Sequence, residues 1–244
     1  MSLFYIIKFY LFKFFGVPVF RTPYGVDFIS NYNDATFKYY ALGSYGKFYS
    51  SYLSNISGQD FIFLDVGANQ GLYSILSSHN PCCLSVYSFE PVDSSFKYLI
   101  NNISISTFSE KITPLKYAIG GDGYADIFIP PNHSGAASLN TSIETLNYSA
   151  EKIEFFNIDK LARLVHGDTR IVIKIDVEGF EFNVLKQLLS SSFSHRIFSV
   201  FCEINQDWHN FSDIKSLLLL HGFSITKIGS GSHYDVICER DIYL

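Results

Sequence analysis

Two acidic residues end two apolar runs, and a lysine with three further acids closes a third. Asp65 follows Phe61 to Leu64, Glu90 follows Leu84 to Phe89, and Lys174, Asp176, Glu178 and Glu181 fall in IVIKIDVEGFE from Ile171 to Glu181. Between the first two lies FIFLDVGANQGLYSILS (61–77), in which Gly67 and Gly71 separate a strand-like run from residues at helical spacing. A strand, a glycine turn and a helix N-terminus in this order suit a polar or anionic ligand, because the first N–H groups of the helix have no partner inside it. Glu90 stands 19 positions beyond Gly71, where nucleotide-binding α/β folds place the carboxylate that accepts from ribose hydroxyls. The competing role for Glu90 is to cap the helix that starts at Asp93.

In the third run, strand alternation puts Lys174 and Asp176 on one side and Ile171, Ile173 and Ile175 on the other. A buried charge costs several kcal/mol unless paired, so Lys174 requires a carboxylate partner. Crowded like charges raise the pKa of one member, which suits proton abstraction, and a nearby lysine opposes that. Asp176, Glu178 and Lys174 are therefore the catalytic candidates. Glu181 is explained as an acid at a helix N-terminus.

These residues require a particular frame. The 244 residues, 48% hydrophobic and 17% charged, can bury a full core as one α/β domain spanning 56–244, with an N-terminal elaboration over 1–55. Further strands are expected at 112–118, 124–129 and 197–204. The helix Ser212 to His221 stops at Gly222, and a hairpin of 223–228 with 234–239 closes the chain. Residues 21–55 read as a short hairpin and a Tyr-rich helix. The polar segment PPNHSGAASL (130–139) is a long connection that either closes over a substrate or stays a surface loop.

Composition excludes some functions. A net charge of −5 without a Lys/Arg cluster argues against nucleic acid. Cys82, Cys83, Cys202 and Cys238 have no paired C-x-x-C spacing, so they read as core residues of a reducing, cytoplasmic compartment rather than as a zinc site. In LFYIIKFYLFKFFGVPVF (3–20), twelve Phe, Ile, Leu and Val residues favour insertion by about 5 kcal/mol, and Lys8 and Lys13 oppose it by roughly 5 to 7. The segment is therefore expected to lie as a helix on something apolar with its lysines outward, either at a membrane interface or on the protein itself.

The motifs in series resemble the FkbM family of S-adenosylmethionine-dependent methyltransferases: FLDVGANQGLYS (63–74), SFEPVDSSFKYLINN (88–102), AIGGDG (118–123), SGAASL (134–139) and IKIDVEGFEFNVL (173–185). The resemblance covers about Tyr45 to Glu203. Gly46 stands where the family often has Glu, Gln70 where Ile is usual, and Asn157-Ile158-Asp159 where Thr-Leu-Asp is usual. It implies a Rossmann-like class I methyltransferase sandwich, with a mostly parallel seven-stranded sheet and a C-terminal antiparallel hairpin. It also implies S-adenosyl-L-methionine as cofactor, with Asp65, Gly67, Asn69 and Gly71 around the methionine moiety and Glu90 on the ribose. Ala118 and Ile119 would flank the adenine, and Asp176 would lie beside the sulfonium. The acceptor implied is a hydroxyl on a sugar, glycan or related natural product. Candidates to meet it are His133 and Ser138 in the polar loop, and Glu203, Asn205 and His209 at and beyond the end of a strand.

Three alternatives share parts of this pattern. A nicotinamide-dependent oxidoreductase shares the opening turn, but the glycines here are spaced G-x-x-x-G. A metal-assisted methyltransferase would use Asp176, Glu178 and Glu203 as magnesium ligands. The third is a membrane-associated protein of the same fold without catalysis.

Overall fold

The computed structural model describes residues 2–139, 147–206, 211–228 and 231–240. The chain opens with helix α1 (Leu3–Phe15), which the left-handed Gly16 terminates (φ 63°). A hairpin of β1 (Val19–Arg21) and β2 (Asp27–Ile29) follows, then α2 (Ala35–Leu42) and α3 (Lys47–Asn55). Two helices thus replace the expected single one, because Gly43 and Gly46 both take left-handed φ and Ser44-Tyr45 turns the chain between them.

Next come β3 (Phe61–Val66), α4 (Leu72–Ser78), β4 (Cys83–Phe89), α5 (Asp93–Ser104) and β5 (Ile112–Leu115). The strand expected to reach Ala118 ends at Leu115; Ala118 instead forms an isolated bridge to Phe155. Strands β6 (Tyr124–Ile129) and β7 (Ser149–Glu154) pair as a separate antiparallel ribbon. The partner of β6 escaped the sequence reading because SAEKIE is too polar to show as an apolar run. Then follow α6 (Ile158–Leu164), β8 (Arg170–Ile175), α7 (Glu181–Leu189), β9 (Ile197–Asn205), α8 (Phe211–Leu220), β10 (Ser224–Ile228) and β11 (His233–Glu239).

Seven strands form one sheet in the order β10-β11-β9-β8-β3-β4-β5. The five strands from β9 to β5 run parallel, and β11 and β10 are antiparallel additions. All six residues of β3 are buried, as a central parallel strand with both faces covered must be. Its alternation feeds two cores. Phe61 and Phe63 join the α3–α4–α5 side, and Ile62, Leu64 and Val66 join the α7–α8 side. Phe9, Phe20, Phe28 and Phe37 belong to the same cluster as Phe61 and Phe63, so the N-terminal elaboration shares the core of the sheet.

From β3 the chain winds outward through β4 and β5, then returns to the opposite side of β3 as β8. The reversal leaves a crevice at the C-terminal ends of β3 and β8, where open α/β sheets take their ligands.

Candidate functional site

Three neighbouring strands set Asp65, Lys174 and Ser88 side by side in register, and Phe201 lies next to Lys174 on β9. The Lys174 side chain therefore has no exit to water; it is 2% exposed. Its Nζ lies 3.5 Å from Asp65 Oδ1 and 3.5 Å from Asp176 Oδ2, and it donates to the Gly67 carbonyl at 2.5 Å. The carboxylate partner required of Lys174 is thus a pair. Burial opposes the ammonium charge, but Asp176 and Asp65 outweigh it and hold the pKa above the ordinary lysine value. Asp65 is fully buried and accepts from Ser74 Oγ at 2.6 Å; burial raises its pKa against the pull of Lys174.

Strand β8 ends at Ile175, and the Asp176 N–H continues the ladder to the Val66 carbonyl at 3.1 Å. Burial would raise the Asp176 pKa, but Lys174, Tyr45 and a hydrogen bond with Glu203 hold it below the usual value. The Tyr45 hydroxyl, from the turn between α2 and α3, donates to Asp176 Oδ2. Glu178 takes a left-handed φ of 49°, and Ser138 Oγ clamps it there by donating to its carbonyl at 2.5 Å. Burial, then repulsion from Asp176 and Glu181, pushes the Glu178 carboxyl up to about 9. Glu203, on β9, is pushed up to about 11 by burial and by Asp176 and Glu178. His233 Nε2, on β11, sits 2.7 Å from Glu203 Oε1. Oxygens of Asp176, Glu178 and Glu203 lie within 4.8 Å of one another. An all-oxygen set of this kind suits hard cations such as magnesium.

The glycine turn is held by its own side chains. Asn69 takes φ 49°, which Asn tolerates, and its Oδ1 accepts from Gln70 N–H at 2.8 Å and from Ser134 Oγ at 3.1 Å. Its N–H donates to Glu90 Oε2 at 2.8 Å, and Val92 N–H donates to Glu90 Oε1 at 2.9 Å. Glu90 therefore serves two loop amides rather than those of α5 itself. Burial pushes its carboxyl up to about 7 despite those two donors. A Cβ on Gly67 would lie 1.9 Å from the Asp176 carbonyl, at a φ of 77° that side chains resist, so only glycine lets the two strand ends close up.

A cavity of about 270 Å³ joins these groups. Its lining includes Glu90 and Asn69, the apolar Phe89, Tyr117, Ala118, Ile119 and Phe180, and the polar Lys174, Asp176, Glu178, Glu203 and His233. Gly67 and His133 also line it.

Several expected residues lie elsewhere. Asp65 sits beneath the cavity wall, and Gly71 backs onto α5, where a Cβ would meet Leu99 Cδ1 at 2.7 Å; neither lines the cavity. Ser138 is 1% exposed and holds the Glu178 backbone, which corrects its assignment to substrate. Asn205, at the end of β9 and opposite His233 in the strand pairing, is not in the cavity wall, whereas His233 is. His209 and the adjacent Trp208 lie outside the described residues.

The loop at 132–136 is docked on α2. Asn132 accepts from Ala35 N–H at 2.9 Å, Gly135 N–H donates to Thr36 Oγ1 at 2.9 Å, and Ser134 N–H donates to Asp34 Oδ2 at 2.8 Å. Gln70 completes this tie through Nε2 to Asp34 Oδ1 at 2.8 Å. The Ile usual at that position offers no such donor. The glycine at 46 also has a structural reason, since a Cβ there would fall 1.6 Å from Tyr73 Oη. Tyr45, Tyr73 and His233 all line the cavity and were missed from sequence; the Tyr-rich stretch was the only signal for the first.

Strand order, closing hairpin and a carboxylate-lined cavity at the ends of β3, β4 and β8 together define a Rossmann-like methyltransferase fold. The chain belongs to the methyltransferase FkbM domain family, which matches residues 65–225. Membership decides against the nicotinamide-dependent oxidoreductase.

Among solved structures, the chain resembles an rRNA methylase from Streptococcus thermophilus, at 9% identity and a TM-score of 0.49, over 79% of this chain and 94% of that one. It also resembles TrmK from M. capricolum in complex with S-adenosylhomocysteine, at 10% identity and a TM-score of 0.48, over 81% and 69%. A third is precorrin-6y C5,15-methyltransferase from Geobacter metallireducens, at 11% identity and a TM-score of 0.45, over 79% and 86%. No curated protein matches.

Proposed function

We propose that the protein transfers a methyl group from S-adenosyl-L-methionine to a hydroxyl oxygen of a sugar, glycan or related natural-product acceptor. The observation that carries this reading is one cavity lined both by Glu90, at the end of β4, and by the Asp176, Glu178 and Glu203 carboxyls, at the ends of β8 and β9. The residues fit the cofactor. A half-aromatic apolar wall suits adenine, a carboxyl with free lone pairs suits a ribose diol, and a surplus of acids over the single Lys174 suits a sulfonium. When bound, the cofactor supplies an activated methyl group.

The chain's own residues then have distinct tasks. Glu90 accepts from the ribose hydroxyls while keeping its two backbone donors. Ala118 and Ile119 flank the base, and Gly67 and Asn69 shape the turn. Asp176 is already engaged by Lys174, Tyr45 and Glu203, so it positions rather than abstracts. Glu178 faces the cavity, and its carboxylate has no hydrogen-bond partner among the described residues. It is the group placed to accept the proton of the acceptor hydroxyl; its carboxyl is raised to about 9, so it must first ionise, which a sulfonium cation bound beside it favours. Glu203, His233 and His133 border the space for the acceptor.

Radiolabelled methyl transfer onto glycan fractions tests the reading, with Glu178→Gln as the diagnostic variant. Turnover should fall 10²-fold or more while calorimetry shows unchanged cofactor affinity. Wild-type turnover in Glu178→Gln would remove the base assignment. Failure to bind S-adenosylmethionine would remove the function. A second reading, a divalent cation on Asp176, Glu178 and Glu203, is favoured by their close oxygens. Loss of activity in chelator with recovery in magnesium would select it.

A further inference from the structure

Helix α1 rests on the body through one narrow edge and shows water an apolar face. Phe9 is buried, and Tyr5, Ile6 and Phe12 pack partly against the core. On the other side Leu3, Phe4, Ile7, Leu11, Phe14 and Phe15 are between 51% and 83% exposed. Positions 3, 4, 7, 11, 14 and 15 recur at helical spacing and form one stripe along the whole helix. Neither lysine interrupts it. Both lysines stay at the surface, Lys13 exposed and Lys8 half-buried, and each reaches back to the body: Lys8 Nζ donates to the Arg21 carbonyl at 2.8 Å and Lys13 Nζ to the Tyr32 carbonyl at 3.1 Å. The stripe is thus clear of charge; Lys8 borders it, and Lys13 lies one turn from Phe9 on the body side. A contiguous apolar face of this length marks a contact surface.

Charge identifies the contact. The first acidic residue in the chain is Asp27, which pairs with Arg21 at 3.0 Å, so residues 1–20 carry Lys8 and Lys13 with no Asp or Glu, in a protein of net charge −5. An anionic lipid surface attracts this end and repels the remainder, which orients the molecule. The helix has 13 residues, about 20 Å in length, and none of the helices among the described residues is long and apolar enough to cross a membrane. We propose that α1 lies in the plane of an anionic phospholipid bilayer, with its exposed apolar stripe among the acyl chains. The Phe9 and Phe37 rings meet at 6.3 Å, and Thr36, Tyr39 and Tyr40 of α2 line the cavity. One helix therefore separates the lipid surface from the cavity. The inference does not depend on the methyl-transfer reading.

Flotation of the full chain with vesicles of phosphatidylcholine alone, or mixed with phosphatidylglycerol, tests it. The wild type should float with the anionic vesicles. Leu11→Glu and Phe14→Glu should each lower the bound fraction about tenfold or more, with near-ultraviolet circular dichroism and melting temperature unchanged, since both side chains face water. Lys13→Gln should weaken binding to anionic vesicles about fivefold and leave neutral vesicles unaffected. A wild type that stays in the lipid-free fraction overturns the proposal, as does binding indifferent to both glutamates. A dimer in sedimentation that Phe14→Glu dissociates would give the stripe to a second copy of the chain and overturn it equally.

Discussion

The Tyr45 hydroxyl donates to Asp176 Oδ2 across 131 residues of sequence. This bond joins the N-terminal elaboration to the end of β8, so the α2–α3 turn is part of the site. Tyr45→Phe removes it without leaving a void. A hydrogen bond to a charged group contributes about 1.5–3 kcal/mol, so kcat should drop roughly ten- to a hundred-fold. Cofactor affinity by calorimetry should change less than threefold. An unchanged kcat would assign Tyr45 to packing alone.

Among the described residues, Lys174 is the only cation beside two inward carboxylates, and Asp65 Oδ1 has no hydrogen bond. Lys174→Met should destabilise the fold by about 3–5 kcal/mol, the cost of stranding a buried charge. Adding Asp65→Asn should recover part of that loss. Urea midpoints of the single and double variants measure both effects.

Glu90 ties cofactor binding to pH. Its carboxyl is raised from 4.5 to about 7, so a ligand whose hydroxyls need the ionised form binds more weakly as pH falls below about 7, by up to tenfold per unit. Above pH 7 the affinity should be flat, and Glu90→Gln should flatten the whole profile. Stability of the ligand-free protein runs with the opposite sign. The folded state holds the proton more tightly, so the contribution of Glu90 is complete below pH 4.5 and is lost as pH rises to about 7. Chemical denaturation of wild type and Glu90→Gln across that window shows it.

Gly46 and Tyr73 exclude each other's growth. Gly46→Ala brings a Cβ to 1.6 Å from Tyr73 Oη at a φ of 54°, and should cost about 1–3 kcal/mol. In a double-mutant cycle with Tyr73→Ala the steric part should vanish, giving a coupling of at least about 1 kcal/mol. Additive effects would show that backbone strain alone sets the cost.

The sequence by itself determined the sheet and its reading direction. Runs such as FIFLDV and IVIKI are apolar on both faces up to their charged ends, as a central parallel strand requires, and the glycines and acids that follow them mark the strand ends where ligands bind. Those signals are local and survive in the order of residues. It also required a partner for Lys174 but could not choose one, because adjacency of Asp65 and Asp176 arises from strand pairing across more than a hundred residues. Tyr45, Tyr73 and His233 reach the cavity from elements with ordinary patterns, so nothing in their own neighbourhood announces them. The roles of Ser138 and Gly71 changed for the same reason. A side chain's periodicity says which face it takes, and only the packed structure decides whether that face meets a ligand, another helix or water.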